Sequence, residues 1–123
     1  MSYRKGPRGR ADRRWAEYIR ALGYCERCGD STGPFEAAHI IRRRYQGTRC
    51  DPDNGWCLCK PCHGEVDSWN VEHLDLVRKT ITVDGYERLE AKAKAAHGQR
   101  LSDGWWADVA DELARLLAER ETT

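Results

Sequence analysis

The chain has 123 residues, with 21 Lys+Arg, 20 Asp+Glu and six cysteines, and it is 33% charged and 40% hydrophobic. That length fits one domain, and the absence of an apolar run long enough to span a bilayer excludes an integral membrane protein built on helices. The net charge of +1 hides a split: residues 1–50 carry 12 Lys+Arg against 5 Asp+Glu, whereas residues 51–123 carry 9 against 15. A basic end of this kind fits either a segment that meets nucleic acid or a solubilising tail, and the charge split alone does not choose between them.

The opening residues MSYRKGPRGR are basic, but no apolar stretch follows them. A secretion signal is not expected, and the expected location is the cytoplasm. Residues 1–11 are rich in Arg, Lys and Gly and predict a flexible basic arm. In residues 12–23, Trp15, Tyr18, Ile19 and Leu22 recur at helical spacing, and Gly23 suits a C-terminal stop. CERCGDSTGP is turn-rich. Residues 35–41, FEAAHII, predict a strand, and GWCLC a second one. Between them RRRYQGTRCDPDN predicts a long basic loop. Pro61 marks the start of a helix over about 60–68. Residues 71–81 fit a helix or an extended segment. Asp84 is a candidate cap for a helix from Tyr86 to His97, closed by Gly98. Ser102 opens a last helix with Trp106, Val109, Ala110, Leu113, Leu116 and Leu117 on one stripe.

Four of the cysteines form two hooks, Cys25-x-x-Cys28 and Cys59-x-x-Cys62, separated by a 30-residue insert. Each hook lets two thiolates grip one ion, and two hooks supply the closed tetrahedral set of a structural Zn²⁺. With no coordination position left open, this ion would staple the fold rather than catalyse. Disulfides are not the default in a cytoplasmic chain. Cys50 and Cys57 are left over. Cys57 reads as a small core residue, although it stands two residues from Cys59 on the same strand face.

His39 and Asn54 lie in the insert, and His63 directly follows the last hook. Taken in order, CERC, AAHII, DPDNGWCLC and KPCH resemble the HNH endonucleases, the ββα-metal nucleases of the zinc-knuckle type. The resemblance covers roughly residues 25–67, and AHII-RRRY-x-x-TR-x-DPDNG-x-x-LC-x-x-CH is similar to small HNH proteins of bacteriophages. It implies an α+β fold: a zinc-stapled ββα-metal core at 25–67 inside a single domain at 12–123, with an N-terminal helix and a C-terminal helical extension at 71–121. It further implies His39 as general base, Asn54 as the residue that fixes the loop and orients that histidine, and His63 as ligand of a catalytic divalent metal.

Phosphodiester hydrolysis needs an activated water and stabilised charge on the leaving 3′ oxygen, which a near-neutral histidine and a divalent cation can supply. Many relatives carry a metal-binding residue just before the base histidine. Here that position is Ala38. Asp67, four residues after His63 on the predicted helix, is the candidate replacement. Glu36 is a weaker candidate, two residues before Ala38 on the same strand face. A metal with few protein ligands keeps several waters, which suits Mg²⁺, with Mn²⁺ or Ni²⁺ as further options.

Arg42, Arg43, Arg44 and Arg49 flank this site, and Arg4, Lys5, Arg8, Arg10, Arg13 and Arg14 precede it. Guanidinium forks match phosphate oxygens, so these residues predict salt-sensitive DNA contacts with little sequence preference. The final helix either packs on the domain or docks a partner, and the phage resemblance connects such a partner with genome-packaging machinery. The competing expectation is a non-catalytic zinc module that binds nucleic acid or protein, which Ala38 keeps open.

Overall fold

The computed structural model describes residues 5–67 and 70–122. Arg4 of the expected arm, and the expected helix end at residue 68, lie outside the described residues. Helix α1 spans Gly6–Arg20, six residues ahead of the expected start at Asp12. Residues 6–11 are therefore helix rather than flexible arm. Pro7 presets the dihedral of the first turn. Gly9 and Ala11 are buried, and their small side chains let another helix approach. Poor intrinsic helix propensity is overridden by that packing.

Strands β1 (Phe35–Ala38) and β2 (Trp56–Cys59) pair antiparallel, with Phe35 opposite Cys59 and Ala38 opposite Trp56. β1 stops before the expected residue 41. The backbone N–H and C=O of Ile41 are engaged by the Asn54 side chain instead of a neighbouring strand. Helix α2 (Lys60–Glu65) follows β2 directly. It ends short of the expected residue 68, because Val66 is extended at φ −88° and ψ 103°.

The 71–81 segment resolves to helix α3 (Val71–Thr80), capped by the Asn70 side chain, which accepts from His73 N at 2.8 Å. Helix α4 spans Thr82–Ala95. Asp84 thus lies within its first turn rather than capping it, and Thr82 Oγ1 accepts from Gly85 N. Helix α5 spans Asp103–Thr122, and Ser102 Oγ accepts from Trp105 N at 3.1 Å, as an N-cap does.

The small sheet separates two apolar clusters. Trp56 and Leu58 point to one side, with Ile40, Ile41, Leu76, Val77 and Leu89. Cys57 points to the other, with Ala11, Trp15, Ile19, Cys50, Trp106, Ala110 and Leu113. This is the period-two alternation of a strand buried on both faces. The apolar stripe of α5 packs on α1, and Arg14 donates to the Ala110 carbonyl at 3.0 Å. No helix among the described residues is long and apolar enough to cross a membrane.

Candidate active site

The two hooks come together. All four sulfurs of Cys25, Cys28, Cys59 and Cys62 lie within 4.8 Å of one another, and those of Cys28 and Cys59 are 3.8 Å apart. A tetrahedron with zinc–sulfur bonds of about 2.3 Å has edges of about 3.8 Å. The cluster is therefore positioned to bind a metal such as zinc. It pins the start of α2 to the knuckle after α1, and Arg27 in that knuckle pairs with Glu65 of α2.

Pinning these ends leaves the 39–54 loop to be organised from within, and Asn54 does this. Its side chain is fully buried. Oδ1 accepts from Ile41 N at 2.7 Å, and Nδ2 donates to the carbonyls of Ile41 and Thr48 at 3.1 and 2.8 Å. One amide thus ties both ends of the loop, using its donors and acceptor on backbone groups that have no strand partner.

His39 stands at the head of this loop. Its Nε2 lies 2.8 Å from the Arg49 carbonyl. A carbonyl only accepts, so Nε2 carries the proton and Nδ1 is the basic nitrogen. The ring stacks on Trp15 of α1, with centroids 3.9 Å apart and planes 13° from parallel. Burial lowers its pKa to about 4, and the charges of Arg43 and Arg49 act in the same direction, against the carbonyl hydrogen bond and Asp12. His39 is neutral at pH 7.

His63, on α2, faces β1. Its Nδ1 donates to Glu36 Oε1 at 2.7 Å, with both side chains partly open to solvent. His39, His63, Glu36, Asp12, Trp15, Arg20 and Arg43 line one open cavity of about 430 Å³. A larger cleft of about 510 Å³ runs between α1 and α4; carboxylates line it, among them Glu26, Asp51 and Asp53, but neither histidine nor cysteine does.

Two expected placements change. Asp67 lies beyond the end of α2 and does not line this cavity. Its expected place one turn beyond His63 required a helix that continues to residue 68. Glu36 is the carboxylate that meets His63. Arg49 is not a surface cation. It is buried, and its Nε and Nη2 grip Asp12 at 2.8 and 2.9 Å. Arg42, Arg43 and Arg44 are exposed; Arg43 borders the cavity, and Arg44 lies over the Tyr45 ring at 5.0 Å. Cys50 and Cys57 fall in the α1–α5 cluster, where Cys50 Sγ donates to Asp12 at 3.3 Å and Cys57 Sγ to the Arg20 carbonyl at 3.9 Å.

A family model described as HNH endonuclease matches residues 25–68. Over this stretch, about a third of the chain, the sequence is similar to HNH endonucleases. No curated protein and no solved structure matches the chain. The matched segment contains both hooks, His39, Asn54 and His63, and the similarity suggests a nuclease-type function and nucleic acid as partner. The segment leaves out α1, although Asp12, Trp15 and Arg20 of that helix line the same cavity as the histidines. In the sequence Trp15 reads only as part of an apolar stripe, and Asp12 has no visible role. Nothing local to either residue signals its partner.

Proposed function

We propose that the chain is a metal-dependent HNH endonuclease that hydrolyses DNA phosphodiesters, with zinc in the four-cysteine cluster. The observation that carries this reading is geometric: His39, held through Nε2, lines the same cavity as the His63–Glu36 pair.

In this reading His39 Nδ1 takes the proton of a water as its oxygen attacks phosphorus. The bond to the 3′ oxygen breaks, leaving a 5′ phosphate and a 3′ hydroxyl once that oxygen is protonated. His63 and Glu36 are the residues that would hold a divalent cation. An imidazole and a carboxylate, both partly open to solvent, suit Mg²⁺, Mn²⁺ or Ni²⁺ with waters completing the shell. When bound, such an ion supplies Lewis-acid stabilisation of charge on the leaving oxygen. Glu36 takes the part that Ala38 cannot play and that the sequence suggested for Asp67. Asn54 holds the loop that carries His39. Arg42, Arg43 and Arg44 contact phosphates, and Arg43 lines the cavity that would hold the reacting group. A phage origin and work beside genome-packaging machinery extend the reading and rest on resemblance alone; a cytoplasmic site of action rests on the basic opening residues, which no apolar stretch follows.

The second reading, a zinc module that binds nucleic acid without cutting it, is favoured by Ala38 alone. Plasmid cleavage with Mg²⁺, Mn²⁺ or Ni²⁺ separates the two. Nicking or linearisation that EDTA and His39→Ala both abolish supports the nuclease. DNA binding without cleavage under every metal supports the module.

A further inference from the structure

We propose that α1, which lies outside the matched segment, is a positioning element of the active site: Asp12, acting through Arg49, and Trp15, by stacking, set the orientation of the His39 ring. The inference rests on the nuclease reading above and deepens it.

Arg49 is the joint. Its guanidinium is clamped by both carboxylate oxygens of Asp12, and its own carbonyl receives Nε2–H of His39. Asp12 also accepts from Cys50 Sγ. A displaced Asp12 therefore displaces the backbone that selects the imidazole tautomer. A buried fork-to-carboxylate pair has two parallel hydrogen bonds and resists rotation, which a single bond does not.

Trp15 follows Asp12 by three residues, on the same helix face. It uses both of its recognition features on this one region. The indole face covers the imidazole, and Nε1–H donates to the Asp51 carbonyl at 3.0 Å. One stretch of α1 thus holds the backbone at residues 49 and 51 and the ring at 39. The helix can come this close because residue 55 is glycine. A Cβ there would sit 2.5 Å from Ile19 Cδ1 and 2.9 Å from Trp15 Cζ2. Asp12 from α1 and Arg43 and Arg49 from its own loop act on the charge of His39, and Arg20, Glu36 and His63 line the same cavity.

The effect on chemistry is orientation. Nδ1 must aim at a water in line with the phosphate, and the ring has two ways to fail: it can flip, or it can exchange tautomer. The Arg49 carbonyl opposes both, because either change turns a group other than Nε2–H towards it, and the Trp15 face holds the ring in the plane that keeps this bond.

The test uses the full, metal-loaded chain with Trp15→Ala, Trp15→Phe, Asp12→Asn and, as a control on α5, Arg115→Ala. Folding is checked by circular dichroism. The His39 tautomer is read by ¹⁵N NMR without DNA, and kcat and KM are read on supercoiled plasmid with Mg²⁺ or Mn²⁺. Trp15→Ala and Asp12→Asn are expected to mix the His39 tautomers and lower kcat about 100-fold with KM unchanged. Trp15→Phe, which keeps an aromatic face, is expected to keep the tautomer and most of kcat, and Arg115→Ala to keep both. Folded Trp15→Ala and Asp12→Asn proteins with a single His39 tautomer and wild-type kcat would overturn the proposal. If Asp12→Asn does not fold, the Trp15 pair decides. Because the tautomer is read without substrate, a wild-type chain that cuts no DNA counts against the nuclease reading, while the NMR spectra still show whether α1 orients the ring.

Discussion

The carboxylate of Glu36 and the imidazole of His63 meet at 2.7 Å between β1 and α2, while Asp67 lies past the end of that helix. If this pair holds the catalytic cation, Glu36→Gln raises the Mg²⁺ or Mn²⁺ concentration needed for half-maximal cleavage. Asp67→Ala has the smaller effect. The check is a metal titration of plasmid nicking. Equal responses in the two variants would remove Glu36 from the ligand set.

The four-sulfur cluster joins segments with little core of their own, since α2 has six residues and one buried side chain, that of Cys62. Structural zinc in small modules contributes about 10–16 kcal/mol of apparent binding free energy that is also folding free energy. Cys59→Ser, or prolonged chelation, is expected to abolish the cooperative thermal transition. Bound zinc, measured by atomic emission, is expected at one per chain and to be lost in the variant.

The pKa of His39 is lowered by burial from 6.5 to about 4, so the native state resists protonation that the unfolded chain accepts. Between those values the unfolded state binds more protons, and stability rises with pH. The contribution, about 3 kcal/mol, is complete above roughly pH 6.5 and is lost as pH falls towards 4. Denaturant titrations across pH 4–7 on wild type and His39→Phe test this, and the variant is expected to show the shallower slope. NMR titration of the His39 ring should find it neutral at pH 5.5.

Arg49 and Arg44 are neighbours on one loop with opposite prospects. Arg49→Ala strands Asp12 as a buried carboxylate without its cation, and breaking such a pair costs about 3–5 kcal/mol. Arg44→Ala leaves stability almost unchanged. It is expected instead to weaken DNA binding and to reduce the slope of log K against log salt by about 1. Chemical denaturation and fluorescence anisotropy over a salt series separate the two effects.

Asn54→Asp changes one atom group and reverses one polarity. The oxygen that replaces Nδ2 faces the Ile41 and Thr48 carbonyls, where only a donor fits. Leaving such groups unsatisfied costs about 1–3 kcal/mol each. The variant is expected to melt lower than wild type and to lose cleavage more steeply than it loses DNA binding.

The parts of this protein that were legible in its sequence are those set by short spacing. A Cys-x-x-Cys hook can only present two sulfurs to one point. Apolar residues at helical intervals can only form one stripe, which is why the helix around Trp15 and the stripe of Trp106, Ala110 and Leu113 were recognisable. His39 and His63 line one cavity, whereas Asn54 is buried behind it and holds the loop. Tertiary structure alone decided the partners. Glu36 finds His63 across 27 residues and Arg49 finds Asp12 across 37, separations at which no local periodicity survives. An arginine reads the same in a sequence whether it faces water or a buried carboxylate. A Gly- and Arg-rich arm reads as flexible until another helix packs on its small residues. Local covalent geometry determines what a segment can present; only the packing of distant segments, which pits desolvation against pairing, determines what each side chain meets.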